Sequence, residues 1–345
     1  MKKKILAVFL SLCVAMSLLP TAAMAAPTDG STVVRIQDTE SWYPDATRAF
    51  MTKETYWFDQ VTAQPAGYVV DESGKTVSIS TPEALVWWAK QVNQGNSFEG
   101  YTVCIMADLD MSAHYWTPIC TGKYEENSAG KWVVTENNVL DNTTICGNGH
   151  TITGLATSTG LRGPNQDSKP GDGSNCYYDA AFIGYSCCDI KICDLAFDGA
   201  RIAITEPFDE VTKTYGSSMV AVVVGAQNKG SLTLNNVTVN NADVLAMQKA
   251  SAFVGNLMGN STLTVNKCAV TNSTFSAYFM VAPIASYGAT TQVKVNGIQL
   301  KNNTINVVEQ ASQTYSYDET LRAEYWDGDL NASTTTVFYD TTKPL

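Results

Sequence analysis

From Leu232 onward, apolar residues come in pairs one residue apart, and the pairs themselves recur. Leu232-x-Leu234 is followed by Val237-x-Val239 and then by Val244. The phrase returns as Leu263-x-Val265, Cys268-x-Val270 and Phe275, and again as Val293-x-Val295, Ile298-x-Leu300 and Ile305. Alternation of this kind predicts half-buried strands, and the 3.6-residue spacing of a helix is missing from it. Asn, Asp or Gly separates the strands, as turns require. An earlier copy fits the same frame at Ile190-x-Ile192, Leu195-x-Phe197 and Ile202. Upstream of each copy stand Phe182-Ile183-Gly184, Val224-Gly225, Val254-Gly255 and Ile284-Ala285, in matching positions. A still earlier copy is expected at Ile152 to Leu155. Two polar insertions, at 157–179 and 205–218, interrupt the early copies.

A unit of about thirty residues with one apolar face cannot bury that face alone. A fixed period therefore implies stacking of neighbours into one continuous core, an all-β solenoid with parallel, in-register pairing between successive rungs. Stacking also gives the asparagines a role. Asn235, Asn266 and Asn296 fall at equivalent corners, as do Asn241, Asn272 and Asn302. Aligned amides can bond from rung to rung, and asparagine tolerates the left-handed backbone that corners need. A row of sugar-binding amides is the alternative reading.

One segment breaks the strand pattern. "STPEALVWWAKQVNQG" predicts a helix over about 82–93. Thr81 is its N-cap, Pro82 its first residue and Asn93 to Gly95 its exit. Leu85, Trp88, Ala89 and Val92 share one face, which should close the first rung and cover its exposed strand edge.

The run Ile79 to Ile119, "ISTPEALVWWAKQVNQGNSFEGYTVCIMADLDMSAHYWTPI", resembles the opening of bacterial exported proteins of the GLUG-repeat and adhesin-like type. The likeness extends through "GNGHTI" at Gly147 to Ile152 and covers about 79 to 308. It implies a right-handed parallel β-helix with an N-terminal capping helix, and a secreted or surface-exposed, adhesin-like role. The predicted organisation is a signal peptide at 1–25, an aromatic-rich flank at 26–67, the solenoid at 68–309 and a second flank at 310–345.

The leader reading rests on Lys2, Lys3 and Lys4, the apolar run Ile5 to Leu19 and the small-x-small site Ala23-Met24-Ala25. No second apolar span comes after it, so the mature chain is expected to be secreted, extracellular or held at the cell surface, without membrane insertion. The chain has 345 residues and a formal charge of −11, made more acidic still by loss of the three leader lysines. That balance argues against nucleic acid as a partner, because phosphate binding needs a basic surface.

Nine cysteines are present, one of them, Cys13, in the leader. Cys104, Cys146, Cys193 and Cys268 lie within apolar strand patterns and read as small core residues. Disulfides are the alternative, since an exported chain permits them. Cys187 and Cys188 are adjacent, and no CxxC pair has zinc spacing, so no metal site is read. No cofactor motif appears.

Candidate chemistry is sparse. Asp189, Asp194 and Asp198 lie near Arg201, but within one rung and at outward positions. Asp108 and Asp110 in "ADLDMS" read as a structural turn. His150 is placed at a position equivalent to Ile190. Asp327, Asp329 and Asn331 open like a calcium loop, but Ala332 and Phe338 stand where glycine and glutamate are needed. No catalytic residues are assigned.

The flanks hold aromatic candidates for stacking on sugar rings: Trp42, Tyr43, Trp57, Tyr315, Tyr317, Tyr325 and Trp326. Packing over the ends of the coil is the competing reading of these residues. The expected function is adhesin-like binding of glycans or of host or neighbour-cell surface proteins. A polysaccharide lyase or glycoside hydrolase with its site in the two insertions is one alternative, and a purely structural surface protein another.

Overall fold

A computed structural model describes residues 32–37, 53–126, 128, 132–157, 161–164, 176–203, 217–246, 249–277, 280–288, 292–309, 329–330 and 339–340. The predicted leader lies outside them. The fold is mostly β, with most strands in parallel sheets.

The repeated phrase pairs with itself. Ile190–Asp198, Ser231–Asn240, Thr262–Thr271 and Val293–Lys301 are adjacent parallel strands. Leu232 faces Leu263 and Leu263 faces Val293, while Val239 faces Val270 and Val270 faces Leu300. A second parallel sheet collects the next short strand of each unit, with Val244 beside Phe275 and Phe275 beside Ile305. The strand Thr32–Gln37 joins its far edge against Thr304–Glu309, so part of the N-terminal flank belongs to this sheet. A third set pairs Ile183–Ser186, Val224–Gln227 and Val254–Leu257. There Val254 bridges Ala285, one residue beyond the Ile284 that sequence matching aligns with it.

Left-handed residues set the phase of burial. Leu232 and Leu234 point inward, Asn236 has φ 53°, and Val237 and Val239 then point inward again. Without that left-handed bend, strict alternation through Asn236 would turn Val237 outward, because side chains on a strand switch face at every step. The same bend falls at Asp194, Lys267 and Gly297 in the neighbouring units. The next bend falls at Gly199, Asn241, Asn272 and Asn302. Behind both lies one core that includes Phe182, Phe197, Phe253 and Phe275.

The earliest copies also pair, but over a longer stretch than Ile152 to Leu155. Thr143–Cys146 lies beside Ile190–Cys193, Thr151–Thr153 beside Ala196–Asp198, and Ala156–Thr157 beside Arg201–Ile202. His150 is therefore level with Leu195, and Thr143 takes the place beside Ile190. The corner "GNG" at 147–149 is longer than the single Asp194 it lies against, which shifts the alignment. Gly147 is required in that corner, since a Cβ there would stand 2.3 Å from the Asp194 carbonyl oxygen.

The helix forms at Pro82–Asn93. Thr81 caps it, its Oγ1 accepting from the Ala84 N–H at 3.2 Å. Leu85, Trp88, Ala89 and Val92 are buried. Asn93 ties the helix exit to the sheet, donating to the Pro118 carbonyl at 3.1 Å and accepting from the Cys120 N–H at 2.8 Å. A short helix, Trp57–Gln60, packs nearby, and the Lys90 ammonium donates to the Phe58 and Val61 carbonyls at 2.8 and 2.9 Å.

A candidate binding face and a thiol column

The outer face of the long parallel sheet is the most regular polar surface among the described residues. Strand alternation sends every second residue outward, and register lines those residues up. One column runs Thr102, Thr144, Lys191, Thr233, Thr264 and Lys294. Beside it a second column runs Ser78, Cys104, Cys146, Cys193, Asn235, Asn266 and Asn296. Successive members stand about 4.8 Å apart, the spacing of paired strands. A shallow cavity of about 430 Å³ opens on this face, lined by Thr144, Lys191, Thr233, Asn235, Asn266 and Asp189 among others.

The Asn235 column is a ladder. The Asn266 amide donates to Asn235 Oδ1 at 2.6 Å, and Asn296 donates to Asn266 Oδ1 at 2.6 Å. These asparagines are not themselves the left-handed residues, which come one position later. The second set behaves differently. Asn241, Asn272 and Asn302 all have φ between 52° and 54°. Asn302 donates to Asn272 at 3.2 Å, but Asn272 donates to Asn240 at 2.9 Å and Asn241 to Asp198 at 2.9 Å.

The carboxylates near this face hold corners. Asp189 accepts from the Ser231 N–H and hydroxyl at 2.6 and 2.7 Å. Asp194 accepts from Asn236 at 2.8 Å, and Asp198 from Asn240 at 2.7 Å. Asp108 accepts from the Thr151 N–H at 2.9 Å and lies 3.2 Å from His150 Nδ1. Those two contacts, the backbone bond first, hold its carboxyl below the usual range. Asp110 accepts from the Ser112 N–H at 2.9 Å, and its bonds to Ser112 lower it likewise.

Of the aromatic candidates, Trp57 lies within the described residues, and it is 6% exposed. Its indole N–H donates to the Met111 carbonyl at 3.1 Å and its ring meets His114 edge-on. No ring face is left for a sugar, which corrects its placement in a binding row. Trp42, Tyr43, Tyr315, Tyr317, Tyr325 and Trp326 lie outside the described residues, as do Asp327, Asn331 and most of both insertions.

The cysteines depart most from expectation. Cys268 is buried at an inward position, beside Ile298. Cys104, Cys146 and Cys193 are half-buried and occupy outward positions, because each directly follows an inward residue, Val103, Ile145 or Ile192. Cys104 faces Cys146 and Cys146 faces Cys193. Burial, and then the Cys146 sulfur, push the Cys193 thiol up to about 12. Cys104 is raised for the same two reasons. The Cys146 and Cys193 sulfurs and an Asp194 carboxylate oxygen all lie within 4.8 Å of one another. Sequence spacing concealed this group, since residues 146 and 193 meet only through register. A signal was present in the phrase itself: "TVC", "TIC" and "KIC" stand where later units read "TLN", "TVN" and "KVN".

No family model matches this chain, and no curated protein or solved structure does either. Among the described residues, no helix is long and apolar enough to cross a membrane.

Proposed function

We propose that the chain is an exported β-solenoid, a right-handed parallel β-helix of the GLUG-repeat and adhesin-like kind. It binds glycans or surface proteins of host or neighbouring cells and performs no catalysis. The pairing of units about thirty residues apart, with like residues in register, supports the solenoid.

The observation that carries the binding role is the polar outer face. Lys191, Thr233, Asn235 and Asn266 line one shallow cavity on it. Repeated donors and acceptors about 4.8 Å apart suit a polymer with many hydroxyls, each contact weak and the row additive. Laddered amides are held rigid, so little ordering entropy is lost when they bind. The carboxylates Asp108, Asp189, Asp194 and Asp198 accept hydrogen bonds at corners, which favours a structural use over paired acid–base chemistry.

The test is an array of plant, microbial and host glycans with mucin-type glycoproteins, probed with purified 26–345. A selective hit that weakens at least about tenfold in Lys191→Glu and Thr233→Tyr supports this face as the site. A hit untouched by both substitutions places binding elsewhere, and a blank array rules out the glycan arm in favour of a protein partner or a structural role.

A further inference from the structure

We propose that Cys146, Cys193 and Asp194 form a site for a thiophilic divalent cation such as Zn²⁺ on the outer face of the long parallel sheet. Two soft sulfurs and one carboxylate oxygen already lie within 4.8 Å of one another. In a tetrahedral zinc site with metal–ligand bonds of about 2.0–2.3 Å, neighbouring ligand atoms stand about 3.3–3.8 Å apart. Both thiols sit on directly paired residues, and Asp194 directly follows Cys193 in the chain.

The surroundings hold these ligands in place. Asn148 donates to the Ile105 carbonyl at 2.9 Å, and its amide oxygen accepts from the neutral Cys146 thiol at 3.2 Å, a bond that metal ligation replaces. Asn236 holds one Asp194 oxygen at 2.8 Å from the next strand. Asp194 itself is the left-handed corner residue, with φ 51°, so its side chain leaves a fixed bend. Partners that orient metal ligands in this way are the usual support of such sites. Cys104, in register with Cys146 on the far side, is a further sulfur within the same column. Binding of the cation displaces the two thiol protons, and its charge then stabilises the thiolates that ligate it.

The same two thiols could instead join as a disulfide, but that arrangement uses neither Asp194 nor Cys104. The decisive measurement is a Co²⁺ titration of the purified, reduced chain, followed by its thiolate charge-transfer and ligand-field bands. The expected result is saturation at a single ion per chain, reversed by Zn²⁺. Cys146→Ser and Cys193→Ser each abolish the bands, whereas Cys268→Ser, which removes a core thiol, retains them. Asp194→Asn keeps both thiols and weakens Co²⁺ binding at least about tenfold, so it tests the site even where a serine variant fails to fold. Absence of the bands in the reduced chain overturns the proposal, and so does their persistence in both serine variants. A Cys146–Cys193 disulfide, mapped by mass spectrometry in chain recovered from oxidising medium, overturns it as well.

Discussion

Asn266 donates to Asn235 and accepts from Asn296, both at 2.6 Å, so one side chain closes two contacts between three consecutive strands. Main-chain pairing sets the register, and the amides reinforce it. A slip by one residue would break both bonds and turn Leu263 and Val265 out of the core.

Asn266→Ala should therefore lower stability by about 1–3 kcal/mol, two hydrogen bonds at about 0.5–1.5 kcal/mol each. Urea unfolding of the variant measures it. Asn296→Ala, at which the ladder has one bond to lose, should cost about half as much. Equal losses at the two positions would mean that the amides do not act as a ladder.

The corners discriminate between two kinds of glycine. Gly199 has φ 64° and open space where a Cβ would stand, and it occupies the position that later units give to Asn241, Asn272 and Asn302. Gly199→Asn should be neutral or stabilising, by up to about 1 kcal/mol, because it restricts the unfolded chain. Gly147 is different, for its limit is contact with the Asp194 carbonyl and the Leu195 backbone. Gly147→Ala should cost about 1–3 kcal/mol as the two corners are forced apart. Thermal unfolding of both variants gives the comparison.

Much of the fold could be read from the chain, and the reason is periodicity. Leu232, Leu263 and Val293 announce their pairing because each sits in the same local phrase. The helix was legible through Thr81 and Pro82, whose roles are local. The hidden features depend on neighbours across units. Cys193 looked like a core residue beside Ile192, yet strand alternation turns it outward, and only register brings it to Cys146. His150 was misplaced because the corner before it is longer than that of the next unit. Between stacking on a sugar and packing over the coil the sequence left Trp57 open, and its burial comes from packing against residues more than fifty positions away.

The helix Pro82–Asn93 packs into the core, and Trp88 is its largest buried side chain. Trp88→Ala should cost about 3–5 kcal/mol through the cavity left behind. Thr81→Ala removes the bond to the Ala84 N–H and should cost about 1 kcal/mol, while Thr81→Ser should restore most of it. Denaturant midpoints test all three. A Trp88→Ala loss below that of Thr81→Ala would show that the buried face of the helix adds little to stability.

Asp243 gives a pH signature. It is a partly buried strand residue beside Arg201, whose Nη2 lies 3.8 Å from its carboxylate. Burial raises its carboxyl above the usual range, and Arg201 offsets part of that rise. Between the usual value and the raised one, the folded chain keeps a proton that the unfolded chain has lost. Stability contributed by this group is thus present at acid pH and falls as pH rises through the folded value. Asp243→Asn should match the wild type below the carboxylate range and exceed it at neutral pH. The gain should be modest, because the group is partly solvated and the ion pair lost with it is worth little at such exposure. Urea midpoints at acid and neutral pH decide the matter. A variant less stable than wild type at neutral pH, and equal to it in acid, would show that the Arg201 pair outweighs the burial of the charge.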